Sequence, residues 1–179
     1  LPSYLQQLEM ESNGKRVTTE GAPVDGPTAA ITWGGIGTDG QHAVFQLLHQ
    51  GTHLIPVEFI ASIEPGHDLD DAHHRQLLGN CFAQGAALMA GKAAKDPARA
   101  YPGDRPSATI LCEELNPATL GALIAFHEHR TFAAGVLMEI NSFDQFGVEL
   151  GRDIAKSILA GGAKFAASTE ALLAEAGIK

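Results

Sequence analysis

No run of apolar residues in this chain of 179 approaches the roughly 20 that a bilayer-spanning helix needs. No basic stretch, apolar core and small-residue cleavage site opens it either, so Leu1 to Met10 does not read as a secretory leader. Cysteine is scarce. Cys81 and Cys112 both sit in apolar runs and read as two buried thiols in a reducing compartment rather than as a disulfide framework. Positive charge is scarce too: 12 Lys and Arg stand against 21 Asp and Glu, a net charge of -9. That balance excludes a nucleic-acid partner in bulk, while a local pocket can still hold a small anion. The metalloprotease pattern H-E-x-x-H is missing. His73-His74 and His127-Glu128-His129 place histidines one and two residues apart, so their side chains diverge around a helix and no metal is expected. There is no internal repeat. These absences predict a soluble, intracellular, cytoplasmic protein. Leu1 is no start methionine, and the expectation is a segment of a longer chain.

What is present is a globular composition, 45% apolar, in a length sufficient for one core. Thr28 to Trp33 reads as a buried strand, followed by the tight turn Gly34-Gly35-Ile36-Gly37. Thr38 and Gln41 have capping-box spacing, which predicts a helix from about Asp39 to His49, stopped by Gly51. His53 to Ala61 is a second strand. Asp70 or Asp71 caps a long helix with its stripe at Leu77, Leu78, Cys81, Phe82, Gly85, Leu88 and Met89. Residues 91–107 form a surface loop, and Ala108 to Cys112 a third strand. Asn116-Pro117 opens another helix, and Phe132 to Ile140 continues in helical or extended form. A helix from about Gln145 to Leu159 precedes the break at Gly161-Gly162 and a last helix. Strands alternating with amphipathic helices predict an α/β fold with a mostly parallel sheet, plus C-terminal helices.

Three groups of residues carry possible chemistry. Gly35-Ile36-Gly37-Thr38-Asp39-Gly40 fits G-x-G-x-x-G, with Glu58 near the end of the next strand. This reads as a dinucleotide loop or simply as glycines in a strand-to-helix turn, and Asp39 weakens the first reading. Gln7 and Glu11 share a helix face if the first helix reaches that far, and a partly dry carboxylate there can move a proton between carbons. His42 falls in the first turns of its helix, where the dipole favours a neutral ring. Gln145, Glu149 and Arg152 stand at i, i+4 and i+7 of one helix, as a solvated pair or as a polar wall facing a polyhydroxylated ligand.

Three separated strings resemble one family. Met10-Glu11-Ser12-Asn13-Gly14-Lys15 is similar to the M-E-S-N-G-K stretch of the glucose-6-phosphate isomerase family. Thr38-Asp39-Gly40-Gln41-His42, with His49-Gln50-Gly51-Thr52, resembles its G-T-N-G-Q-H…H-Q-G-T signature. Asn141 to Gly151 is close to its N-S-F-D-Q-W-G-V-E-L-G signature. The resemblance covers Gln6 to about Leu159 and displaces the dinucleotide reading.

It implies a three-layer αβα fold of the sugar-isomerase (SIS) type. It also implies interconversion of glucose 6-phosphate and fructose 6-phosphate through a cis-enediol, with no metal or nucleotide cofactor. The expected partners are a small sugar phosphate and a second subunit of a homodimer sharing its active site, with no nucleic acid or membrane. By resemblance Glu11 is the proton-shuttling base and His42 assists ring opening, reaching the neighbouring subunit's site. Gln7 and Gln145 contact the sugar. Arg152 occupies the place of a lysine that helps ring opening, and arginine is no proton donor at neutral pH. Gly35 and Asp39 also depart from the pattern. Residues 1–27 are read as a linker and helix end carrying the base, 28–140 as part of the SIS-type domain, and 141–179 as a C-terminal helical segment. The family's phosphate loop and enediolate-stabilising arginine have no match in these residues, which predicts that the segment is inactive alone. A non-catalytic sugar-phosphate-binding module is the alternative.

Overall fold

The computed structural model describes residues 1–178. Helices and strands alternate in the order α1 (Pro2–Asn13), α2 (Gly37–Ala43), α3 (Phe45–Gln50), β1 (Val57–Ser62), α4 (Asp71–Ala90), β2 (Ser107–Cys112), α5 (Pro117–Leu137), α6 (Glu149–Ala160) and α7 (Ala167–Glu175). Single 3-10 turns lie at Pro97–Arg99 and Phe146–Val148. None of the helices described is long and apolar enough to cross a membrane. The architecture is α/β, with a small parallel sheet flanked by helices and followed by C-terminal helices.

The chain divides into two compact units, the first Leu1–Leu8 with Ile31–Arg130, the second Glu9–Ala30 with Thr131–Lys179. In the first, β1 and β2 pair in parallel with Val57 opposite Ser107 and Ser62 opposite Cys112. The crossover between them is α4, which packs on both strands and buries Leu88. Asp70 starts α4 by accepting a hydrogen bond from the Ala72 amide at 2.8 Å, which satisfies one of the helix's orphan donors. Gly91 ends it at φ +61, with Gly103 close enough that a Cβ would collide. Arg105 braces the segment before β2, donating to the carbonyls of Gly51 at 2.6 Å and His53 at 2.9 Å. Asn116 caps α5 by accepting from Thr119 N at 2.9 Å. Leu48, Leu88 and Leu123 are the buried hydrophobic residues of this unit.

The second unit holds the turn Val17–Pro23, the end of α5, and α6 and α7. Val17 and Pro23 form an isolated antiparallel bridge. Ile140 is buried, while Phe143 (82% exposed) and Leu159 (82%) face solvent.

Four expectations are corrected. Thr28 to Trp33 belongs to no strand, and Ile31 is 84% exposed. An apolar run becomes a strand only beside a partner, and here β1 and β2 pair with each other. The 39–49 helix is two short helices, broken at Val44, and begins at Gly37 without a side-chain cap. Thr38 therefore lies inside α2 rather than capping it. The helix expected from Gln145 starts at Glu149, preceded by the 3-10 turn. Cys81 and Cys112 are unpaired thiols but only half-buried, and desolvation pushes the Cys81 thiol upward.

Candidate active site

The second unit brings together residues of two chain segments that carry candidate site residues. The first is the C-terminal end of α1. The helix ends at Asn13, and Lys15 folds back over it. Its ammonium donates to the carbonyl oxygens of Glu11 at 2.7 Å and Ser12 at 2.9 Å. A cation on these orphan carbonyls satisfies them and complements the negative end of the helix. The same ammonium lies 3.6 Å from Asp144 Oδ1.

The second segment leaves α5. Glu139 takes the left-handed conformation, φ 56, and turns the chain off the helix. Its carbonyl accepts from Thr19 N at 2.8 Å, and Ile140 is buried behind it. Asn141 Oδ1 accepts from Phe143 N at 3.0 Å, a side-chain-closed turn. This turn brings Ser142, Asp144 and Gln145 back to α1. Ser142 donates to Asn13 Oδ1 at 2.7 Å. The Gln145 amide donates to Glu11 Oε1.

Glu11 is half-buried and Gln145 exposed. A carboxylate in this setting has one oxygen oriented by an amide and still meets solvent, so it can exchange a proton with a small molecule docked beside it. Gln7 is exposed on α1, one helical turn before Glu11. Arg152 is exposed on α6. Gln145 sits before the 3-10 turn, not on that helix, so the shared face expected of Gln145, Glu149 and Arg152 reduces to Glu149 and Arg152. Asn13, Lys15, Ser142 and Asp144 were not singled out by their chemistry. The signal was their position inside the two strings that bear Glu11 and Gln145.

In the first unit His42 is exposed and lies in the last turn of α2, because the helix breaks at Val44. The argument from a helix N-terminus therefore does not apply to it. The G-x-G-x-x-G string follows a segment without regular secondary structure rather than a strand, which removes the context a dinucleotide loop requires. His49 Nε2 lies 3.1 Å from Gln84 Oε1, and His74 Nε2 lies 2.8 Å from the Ile63 carbonyl, so both bond within the fold. Among the described residues no three His, Cys, Asp or Glu cluster as metal ligands. His127 is fully buried on α5 with neither ring nitrogen hydrogen-bonded. Its Nε2 lies 3.5 Å from Glu58 Oε1, and Arg130 holds the other Glu58 oxygen at 2.9 Å. Burial holds the His127 ring below the usual histidine range, Arg130 adds to this, and Glu58 opposes it.

The sequence model of a family described as phosphoglucose isomerase matches residues 1–173. A glucose-6-phosphate isomerase of Erythrobacter litoralis is 75% identical over 99% of this chain and 35% of its own length. That of Zymomonas mobilis is 66% identical over 98% and 35%. The chain thus spans about a third of the length of the curated relatives it matches. Among solved structures, a glucose-6-phosphate isomerase from Chlamydia trachomatis superposes with a TM-score of 0.87 at 37% identity, covering 99% of this chain and 35% of that one. A hypothetical protein from Thermus thermophilus gives 0.64 at 27% identity, covering 89% and 38%.

Proposed function

Because the chain belongs to the phosphoglucose isomerase family, we propose that it carries the proton-transferring part of a site that interconverts glucose 6-phosphate and fructose 6-phosphate. The observation that carries this reading is the Gln145 amide on the Glu11 carboxylate, which joins two of the three strings that resemble the family. Glu11 takes the proton from C2 of the open-chain aldose. The electrons of that C–H bond form the C1=C2 bond, and those of the C1 carbonyl move to its oxygen, giving the anion of a cis-enediol. Protonated Glu11 then returns its proton to C1 as the C2 hydroxyl becomes the carbonyl and the hydroxyl's proton passes to the C1 oxygen. Gln145 orients the carboxylate and, with Gln7, contacts the sugar. His42 assists ring opening in a site shared between the subunits of a homodimer. Arg152 keeps a positive charge at the sugar but donates no proton at neutral pH.

Such a reaction needs preorganised donors and positive charge at the oxygen where the enediolate develops, and a holder for the phosphate. The phosphate loop and the enediolate-stabilising arginine that the resemblance implies have no match among these residues. The chain therefore works within a longer polypeptide and is inactive alone. The test is a coupled assay with fructose 6-phosphate on the natural full-length polypeptide beside residues 1–179. The full-length protein turns over and the segment does not. Activity of the segment within about tenfold of full length, when oxyanion donors are ordinarily worth about a hundredfold or more, contradicts the account. Binding of sugar phosphate by the full-length protein without turnover favours a non-catalytic module.

A further inference from the structure

The contact between Glu11 and Gln145 joins two long side chains that both meet solvent. A hydrogen bond of that kind is weak and does not by itself hold either partner in place. Something else must set the distance between the two backbones that carry them. Two residues beyond Glu11 stands Asn13, with no exposed surface. Its Nδ2 donates to the Thr131 carbonyl of α5 at 2.9 Å, and its Oδ1 accepts from the Ser142 hydroxyl at 2.7 Å. One buried amide thus ties the end of α1 both to α5 and to the turn that bears Gln145. Glu9 adds a tie on the other side, accepting from Thr131 Oγ1 at 3.1 Å. The helix makes room for this arrangement: at Gly135 a Cβ would collide with Ser142 Oγ and stand 3.1 Å from Asn13 Oδ1.

We propose that Asn13 is a positioning residue, which sets the register between the Glu11 carboxylate and the Gln145 amide by clamping α1 to α5 and to Ser142. This rests on the reading of Glu11 as the base. Buried amides are directional at both ends, so the clamp fixes a translation and a rotation that apolar packing leaves loose. Proton transfer from carbon is sensitive to such placement, since a misplacement of about 1 Å can cost about a hundredfold.

The experiment uses the natural full-length polypeptide and steady-state kinetics with fructose 6-phosphate. Asn13→Asp keeps the shape but turns an acceptor toward the Thr131 carbonyl. Ser142→Ala removes only the hydroxyl that Asn13 Oδ1 accepts. The expected result is a fall in kcat of about tenfold to a hundredfold with KM within about twofold, the signature of an interaction used in the transition state. Each change is then combined with Gln145→Ala. Once the Gln145 contact is gone, the added loss should shrink to less than about threefold, because residues acting through one contact are not additive. A structural role alone gives multiplicative losses in that cycle, and this overturns the proposal. So does a kcat within about threefold of wild type, far short of the loss misplacement brings. If Asn13→Asp does not fold, Ser142→Ala carries the same readouts. Glu11→Gln separates the two levels of the argument. If it turns over at the wild-type rate, the reading of the site fails. If it is inert while Asn13→Asp keeps full rate, only the positioning role fails.

Discussion

Helix α5 contains two glycines that should answer the same substitution with opposite signs. Gly121 is exposed, and a Cβ built there meets nothing within 4 Å. Gly121→Ala should therefore gain most of the helix-propensity difference, about 0.8–1.0 kcal/mol. Gly135 is buried, and a Cβ there collides with Ser142 Oγ beside Asn13 Oδ1. Gly135→Ala gains the same propensity but carries two costs. Forcing a methyl into a filled site costs about 1–3 kcal/mol. Displacing Ser142 leaves the buried Asn13 acceptor unpaired, for another 1–3 kcal/mol or so. Against a gain of about 1 kcal/mol, the net is a destabilisation of about 1–5 kcal/mol. Thermal denaturation of the two variants beside the wild-type natural polypeptide reads the signs directly. Gly121→Ala should melt above wild type and Gly135→Ala below it. A Gly135→Ala protein that melts at or above wild type would refute the claim that the Asn13–Ser142 clamp fills the space over α5.

Further outcomes follow from other parts of the fold. Because the folded His127 ring is held below its ordinary range, chiefly by burial and then by Arg130, with Glu58 opposing, the unfolded chain binds that proton more readily. Its contribution is complete above about pH 6.5, the ordinary histidine value, and is lost as pH falls below it. His127→Leu should therefore narrow the gap in melting temperature between pH 8 and pH 5, and an unchanged gap contradicts the assignment. Asp70→Ala removes the cap of α4 and should cost about 1 kcal/mol, read in denaturant titrations. Arg152→Lys should leave isomerisation from the ring-closed sugar as fast or faster, since lysine can give up a proton and arginine cannot. A loss of more than about tenfold would assign the guanidinium a fork-shaped contact that lysine does not reproduce.

The helices announced themselves where a chemical device sits at their ends. Asp70, Asn116-Pro117 and the glycines after Ala160 each mark a boundary because they satisfy or terminate backbone hydrogen bonds locally. β1 carries Glu58 and begins at Val57, four residues after the expected start at His53, while β2 was legible as the apolar run Ala108 to Cys112. Thr28 to Trp33 has the same pattern yet belongs to no strand, since such a run records an appetite for burial and not the identity of what covers it. The break at Val44 moved His42 from the start of a helix to the end of one, a change no periodicity over so few residues encodes. At the candidate site, spacing offered Glu11 only as a carboxylate sharing a face with Gln7, and Gln145 only as part of a polar helix face; the roles proposed for them came through resemblance to a family. Asn13 went unread because a buried asparagine looks in sequence like any turn residue before glycine. Its role depends on the distant partners Thr131 and Ser142.

The central claim is that Glu11 moves a proton between two carbons. Glu11→Gln keeps the size of the side chain but cannot accept that proton. Glucose 6-phosphate deuterated at C2, given to the full-length protein and its Glu11→Gln variant, reports the step as loss of label and as turnover. The account predicts that both fall at least about a hundredfold, the low end of what a general base contributes, with KM little changed. Turnover and label exchange at the wild-type rate in Glu11→Gln would contradict it.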